Sequence, residues 1–222
     1  YRLAVAQGSA EAQSNLGVLY EEGRGVPQNY AEALRWYRLA AAQGAASAQY
    51  NIGVLYEEGR GVLQDFAEAL RWFRLAAAQG NDEAQFNLGV MHASGMGVPQ
   101  DDKEAVRWYR LAAEQEYANA QANLGVMYNL GKGVPKDYKE AVRWSRLAAD
   151  QGYALAQANL GVMYWKGMGV KQDYVQACLW LSLAAAQGNK GASDALDSFA
   201  HKMTPAQIAE AQKLAREWKP KK

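Results

Sequence analysis

The chain has 222 residues and carries nearly equal numbers of charged side chains, with 24 Lys and Arg against 23 Asp and Glu. This balance argues against a general nucleic-acid binder, which would carry a basic face or stripe. No stretch reaches the roughly 18 consecutive apolar residues of a membrane span, so the sequence predicts no membrane insertion. The single cysteine, Cys178, excludes an internal disulfide and leaves the compartment open.

A unit of 36 residues recurs five times without an insertion. Each copy opens with an Ala-Gln pair, continues through a Gly-x-Gly-Val link and carries a tryptophan in its second half. The Ala-Gln pairs begin at Ala12, Ala48, Ala84, Ala120 and Ala156, and the tryptophans are Trp36, Trp72, Trp108, Trp144 and Trp180. Such constant spacing predicts a repeat array, in which each unit packs only on its neighbours.

The repeat register gives the expected domain organisation. Residues 1–8 match the end of a second helix, so we expect the chain to begin inside a truncated preceding repeat. Five repeats follow at 9–44, 45–80, 81–116, 117–152 and 153–188. The remaining residues, 189–222, form a degenerate repeat and a C-terminal capping helix that begins at Thr204-Pro205.

Each repeat contains the signals of two helices. The first helix, from Ala10 to Glu22 in the first repeat, has apolar residues at helical spacing and an interior glycine, Gly17. Because an interior glycine weakens a helix, its recurrence predicts the close approach of a neighbouring helix. The second helix follows Asn29, whose side chain can accept from an unpaired backbone N–H at the helix start. We expect the five tryptophans of the second helices to lie in the core.

Each repeat normally ends with a glycine that suits a left-handed helix end, as at Gly44, and Glu116 replaces this glycine in the third repeat. We therefore expect a different turn near Glu116. At the C-terminal end, Pro220–Lys222 is expected to be a solvated tail. At the N-terminal end the apolar stripe has no cap, and this uncapped face is a further candidate contact surface.

The pattern Ala-x3-Leu-Gly-x2-Tyr-x2-Gly-x-Gly-Val-x2-Asp-x3-Ala-x2-Trp-x3-Ala-Ala-x-Gln-Gly resembles the Sel-one-like repeat (SLR) family, relatives of the tetratricopeptide repeats. It covers about residues 1–200. The departures are His92, Glu116, Ser145 and Leu181. The resemblance implies an all-α fold, a right-handed superhelical solenoid of antiparallel helix hairpins. It also implies adaptor or scaffold roles, in bacteria often in the envelope or in host contact, without a catalytic centre or cofactor.

The resemblance further implies that the first helices line the concave face. One asparagine per repeat falls on that stripe: Asn15, Asn51, Asn87, Asn123 and Asn159. A carboxamide both donates and accepts, which suits an extended peptide backbone. The alternative is that each asparagine bonds a neighbouring helix and fixes the spacing of the hairpins, because buried polar groups must find partners in any case.

Three aromatic residues stand at positions of the same stripe that vary between repeats: Tyr50, Phe86 and Trp165. They are candidate anchors for a ligand, because aromatic side chains are enriched at binding hot spots. The alternative is partial burial of each ring against a neighbouring helix.

The sequence therefore favours a non-catalytic module that binds a peptide or protein on its concave face. The alternative is a structural scaffold in bacterial envelope or polysaccharide assembly, and a β-lactamase-like hydrolase ranks third. Ser-x-x-Lys, Lys-Thr-Gly and Gly-x-Ser-x-Gly are all absent from the sequence. His92 and His201 lack neighbours at metal-ligand spacing, so no metal or cofactor is predicted.

Overall fold

The computed structural model describes residues 8–221, except the side chain of Ala200. The expected end of a preceding helix falls on residues 1–7, outside the described residues. In chain order the helices are α1 (Ala10–Glu22), α2 (Tyr30–Ala42), α3 (Ala46–Glu58), α4 (Phe66–Ala78), α5 (Asp82–Ser94), α6 (Asp102–Glu114), α7 (Ala118–Leu130), α8 (Tyr138–Asp150), α9 (Ala154–Lys166), α10 (Tyr174–Ala186), α11 (Lys190–Phe199) and α12 (Pro205–Glu217), with a 3₁₀ turn at Ala200–Lys202. No strand occurs within residues 8–221.

The chain divides into two compact units, Tyr1–Trp108 and Tyr109–Lys222. In unit one, α1 packs on α2 and α3 on α4, and α2 and α4 each contact the first helix of the following hairpin. In unit two, α7 packs on α8 and α9 on α10, and α8 contacts α9. Helices α11 and α12 both pack on α10. Each unit is thus a stack of helix hairpins, and the predicted all-α hairpin solenoid is confirmed.

The second helices begin where the sequence predicts, because an Asx side chain caps each start. The Asp137 carboxylate accepts from the backbone N–H groups of Lys139 at 2.8 Å and Glu140 at 3.2 Å. Asn29 accepts in the same way from the backbone N–H of Glu32 at 3.1 Å. These bonds satisfy donors that have no partner inside the helix.

The glycines inside four first helices, Gly17, Gly53, Gly125 and Gly161, are explained by side chains of the paired second helices. A Cβ added at Gly17 would lie 2.5 Å from the Tyr37 ring, and one at Gly53 would lie 2.6 Å from the Phe73 ring. The predicted close approach is therefore real, and it is made by a ring that lies directly over the helix backbone. This contact fixes how deeply α2 and α4 settle onto α1 and α3.

The turn at Glu116 differs from the expectation. Glu116 adopts a φ of 66°, close to the 87° of Gly44 at the matching position. Its N–H donates to the Ala113 carbonyl at 3.1 Å, as the Gly44 N–H donates to the Ala41 carbonyl at 2.9 Å. The turn is therefore retained, and Glu116 carries the cost of a left-handed backbone conformation, about 1–2 kcal/mol.

The core is formed mainly by alanine and by the aliphatic residues of both helices, and the tryptophan row is only partly inside it. Trp144 and Trp180 are buried, but Trp36, Trp72 and Trp108 are half-buried. The prediction of five core tryptophans is therefore wrong for the first three. Arginine guanidinium groups cover some of the indoles, as Arg143 covers Trp144 at 4.5 Å.

The C-terminal segment is folded onto unit two. Thr204 and Gln207 form a reciprocal capping box at the start of α12. Trp218 meets Trp180 edge-on with ring centroids 6.2 Å apart. The Lys221 ammonium lies 2.7 Å from the Asp150 carboxylate, and the Lys221 N–H donates to the Asp150 carbonyl. Lys221 is therefore tied to α8, whereas a solvated tail was expected.

Candidate functional site

The five asparagines lie on the first helices α1, α3, α5, α7 and α9, and all five are half-buried. The Asn51 side chain lies close enough to the Tyr37 hydroxyl to lower the pKa of that phenol, against the larger effects of burial and Glu21. Asn51 thus faces Tyr37, and all five asparagines present half-buried amides.

Tyr37 is buried at the centre of a group of polar side chains in unit one, which we call the Tyr37 cluster: the half-buried Glu21 and Asn51 and the exposed Arg60. Its ring is fully buried, and its hydroxyl donates to the Glu21 carboxylate at 2.6 Å. A guanidinium nitrogen of Arg60 lies 3.7 Å from the same carboxylate. Burial, followed by the adjacent Glu21 carboxylate, raises the pKa of Tyr37 far above its usual range. The phenol therefore stays protonated, and its hydroxyl remains bonded to Glu21.

The equivalent place in unit two has no ring. Counting three repeats along the sequence, Ser145 stands for Tyr37, Asn129 for Glu21 and Asn159 for Asn51. A cavity of about 170 Å³ lies there, lined by Gly125, Val126, Asn129, Ser145, Asn159, Val162, Met163 and Met168. We call this space the Ser145 cavity. Its rim residues Val126, Asn129, Asn159 and Val162 are half-buried, whereas Gly125, Ser145 and Met163 are buried.

The three aromatic candidates are half-buried and lie at separate places. The Tyr50 ring packs against Phe73 of α4 at 5.8 Å between centroids. The Trp165 ring stacks on Phe199 of α11 at 5.4 Å. Phe86 lies on α5. Tyr50 and Phe86 belong to unit one and Trp165 belongs to unit two, so each would contribute within its own unit.

A second polar row was missed by sequence reasoning, although the Ala-Gln pair was the landmark of the repeat. The glutamine of that pair accepts a hydrogen bond from the glutamine that ends the second helix of the same hairpin. In unit one the Gln43 and Gln79 amides donate to Gln13 and Gln49, each at 2.8 Å. In unit two Gln151 donates to Gln121 at 2.9 Å. The 30-residue spacing of these pairs was the signal that could have revealed the row.

The same row also ties one hairpin to the previous one. The Gln157 amide donates to the Ala149 carbonyl at the end of α8, at 3.2 Å. Gln157 is fully buried, so this bond is shielded from water. The spacing of the hairpins is therefore held by buried glutamines.

Few side chains among residues 8–221 are candidates for a nucleophile or a metal ligand. Cys178 is buried, and burial raises the pKa of its thiol, partly opposed by contact with the Ser182 hydroxyl. This is the environment of a small packing residue, not of a thiolate nucleophile. His92 is buried at the tyrosine position of its repeat. Across residues 8–221 there is no group of three His, Cys, Asp or Glu side chains able to hold a metal, and the helices there are too short or too polar to cross a bilayer.

The comparisons with known proteins agree with this geometry. The family model of the Sel1 repeat matches residues 10–44, 46–81, 82–117, 118–153 and 154–189. No match was found among curated proteins. An immunity protein from Pseudomonas aeruginosa has a similar fold, with a TM-score of 0.54 at 23% identity over 94% of this chain and 79% of that one.

Two solved structures are more similar in sequence. One is a protective antigen of uropathogenic Escherichia coli strains displaying an SLR fold, 40% identical with a TM-score of 0.87 over 97% of this chain. This chain spans only 47% of that antigen. The other is a Sel1 repeat protein from Oxalobacter formigenes, 35% identical with a TM-score of 0.82 over 97% of this chain and 87% of that one. With five matched repeats and these two relatives, the chain belongs to the Sel1 repeat family.

Proposed function

We propose that this protein is a non-catalytic interaction module that binds a peptide or protein on the first-helix face of each unit. We define this face by the half-buried asparagines of each unit, with Tyr50 and Phe86 in unit one and Trp165 in unit two. Sel1 repeat proteins typically mediate protein–protein interactions and are generally non-catalytic. The proposal adds to this general role a specific surface and a peptide-like ligand.

The main support for the proposal is that the glutamine row and the asparagine row make different contacts. If the asparagines served to hold the hairpins, they would be expected to bond neighbouring helices. That task is performed by the buried glutamines, as in the Gln157 bond to Ala149. The asparagines are half-buried instead, and four of them keep amides that can both donate to and accept from a peptide backbone. Asn51 differs from them because its amide also lowers the pKa of the nearby Tyr37 phenol.

The experiment is affinity capture from a lysate of the source cell with the wild-type chain and with an Asn87→Ala/Asn123→Ala variant. These two asparagines come from different units, and both lie outside the Tyr37 cluster and the Ser145 cavity. We expect the variant to keep its helical circular dichroism and to lose the captured partner, since each peptide hydrogen bond would be lost.

The matched control is Gln212→Ala, which removes an exposed amide from α12. It should capture the partner as the wild type does. Unchanged capture by a folded asparagine variant would refute the assignment of the row to ligand binding. Unfolding of that variant would also refute it, because the asparagines would then be structural.

A further inference from the structure

The Ser145 cavity lies at the repeat position that the Tyr37 cluster occupies in unit one, but no aromatic ring fills it. In unit one the Tyr37 ring fills the space above Gly17, and in unit two only the Ser145 side chain lies above Gly125. The second and fifth hairpins fill the same space with Phe73 over Gly53 and Leu181 over Gly161. In these three hairpins a large side chain of the second helix fills the space, and in the fourth hairpin the small Ser145 side chain leaves it open.

The size of the space suits one aromatic ring. Its volume is about 170 Å³, and a buried apolar cavity of about 150 Å³ is known to admit benzene. Val126, Val162, Met163 and Met168 supply apolar walls, and methionine sulfur packs favourably against aromatic rings. The half-buried rim leaves an entrance from solvent.

The polar groups of the cavity lie where a phenol would need them. In unit one, the Tyr37 hydroxyl donates to Glu21, and the Asn51 amide lies close enough to lower the pKa of that phenol. Asn129 and Asn159 replace these two residues, and both line the cavity. An asparagine carbonyl can accept from a hydroxyl and an asparagine amide can donate to it. Unlike Glu21, the two asparagines carry no negative charge. Met168 stands at the repeat position of Arg60, whose guanidinium lies near the Glu21 carboxylate in unit one.

We infer that the Ser145 cavity is a subsite for the tyrosine side chain of a bound peptide or protein, whose phenol ring takes the place that Tyr37 fills in unit one. The inference rests on the proposed function, because it names a residue of the partner. The ring lies over Gly125 between the valines and methionines, and its hydroxyl bonds Asn129 and Asn159. The bound partner thereby completes the interior of the fourth hairpin.

The first test uses p-cresol and toluene, the side-chain analogues of tyrosine and phenylalanine, with the full chain. Binding is followed by NMR through the backbone amide of Gly125. We expect both probes to shift this signal and p-cresol to bind about two- to tenfold more tightly, the effect of a net hydrogen bond. Asn159→Leu should abolish that preference. Failure of p-cresol to bind, or equal binding of the two probes, overturns the inference.

Ser145→Tyr fills the cavity from within the chain and should abolish p-cresol binding. If this variant does not fold, Ser145→Phe serves in its place, since Phe73 already occupies the same position over Gly53. Ser193→Tyr makes the same chemical change at an exposed site on α11 and should leave p-cresol binding intact. Unchanged binding in the filled variant would mean that the probe lies elsewhere, and the inference would fail.

Partner capture separates this inference from the proposed function. We expect Ser145→Tyr to reduce capture as the Asn87→Ala/Asn123→Ala variant does. If the asparagine variant loses the partner and a folded Ser145→Tyr keeps it, the interaction face stands and the tyrosine subsite is refuted. If both keep it, both proposals fail.

Discussion

The hairpins α1–α2 and α7–α8 occupy equivalent positions in their repeats, have helices of equal length and differ in their interiors. In the first, Tyr37 covers Gly17 and its hydroxyl bonds Glu21. In the other, Ser145 lies beside an open cavity of about 170 Å³. The comparison teaches that helix ends and glutamine bonds define the repeat, while the space between paired helices is free to vary. A change at one position can turn a filled interior into an accessible site.

The largest effect is expected when the first hairpin receives the serine that the fourth hairpin has at the same position. Tyr37→Ser should lower the free energy of unfolding by about 3–5 kcal/mol, the usual range for truncation of a buried aromatic ring. Ser145→Ala, which removes only a hydroxyl beside an existing cavity, should cost about 1 kcal/mol or less. Urea denaturation measures both, and equal losses would contradict the view that Tyr37 fills a space which Ser145 leaves open.

The glutamine bonds are the feature that both hairpins share, and the two accepting glutamines differ in burial. Gln121 accepts from Gln151 and donates to the Ala113 carbonyl at 3.1 Å, and Gln13 accepts from Gln43. Removing the more deeply buried glutamine, by Gln121→Ala, should cost about 1–3 kcal/mol. Gln13→Ala should cost less in the same denaturation experiment. A larger loss at Gln13 would show that burial does not set the cost of losing these bonds.

The turns that precede the two hairpins offer a smaller effect. Gly8 precedes the first hairpin with a φ of 76°, and Glu116 precedes the fourth with a φ of 66°. Glu116→Gly should raise the free energy of unfolding by about 1 kcal/mol, since glycine tolerates this conformation. The matched reverse change is Gly44→Ala, where an added Cβ meets no atom within 4 Å. It should lower the stability by about the same amount, and a Glu116→Gly variant no more stable than wild type would show that the turn carries no strain.

A further effect depends on alkaline solution. The pKa of Tyr37 is raised in the folded chain, so the unfolded chain releases this proton first as the pH rises. The stability from the neutral phenol is therefore fully present below about pH 10 and is lost above it. Tyr37→Phe should make the fall in stability above this pH shallower, with a change at neutral pH of about 1 kcal/mol.

Ser145 supplies the control for this pH effect, because the fourth hairpin has no phenol at that place. Ser145→Ala should leave the alkaline slope of the wild type unchanged. Denaturation midpoints measured between neutral and alkaline pH would give both slopes, and a Tyr37→Phe slope equal to that of the wild type would rule out Tyr37 as the responsible group.

Most of the fold could be predicted, because its signals are local and repeat at a fixed spacing. The Asx caps, as at Asp137, and the Thr204 capping box lie where short-range sequence patterns place them. The turn at Glu116 could not be predicted from the residue alone, since the surrounding helices impose a conformation that glutamate disfavours. The burial of Trp36 was overestimated because periodicity indicates the apolar side of a helix and not how much of that side is covered.

The site could be predicted less well, because it depends on contacts between positions distant in sequence. The Asn row was visible from its spacing, but its role remains a prediction. Ser145 was recognised only as a departure from the usual aromatic residue. Asn129 and Asn159 line the same cavity as Ser145, and no pattern within a single repeat could reveal this arrangement.

The buried glutamines also have a consequence for how such chains lengthen and shorten during evolution. Gln157 bonds a backbone carbonyl of the preceding hairpin, and its side-chain partner Gln187 belongs to its own hairpin. Neither bond requires a particular side chain from the neighbour. A duplicated or deleted 36-residue segment would therefore meet a compatible junction at once, without a compensating second mutation. Recombination can then alter the number of repeats while each repeat acquires its own interior.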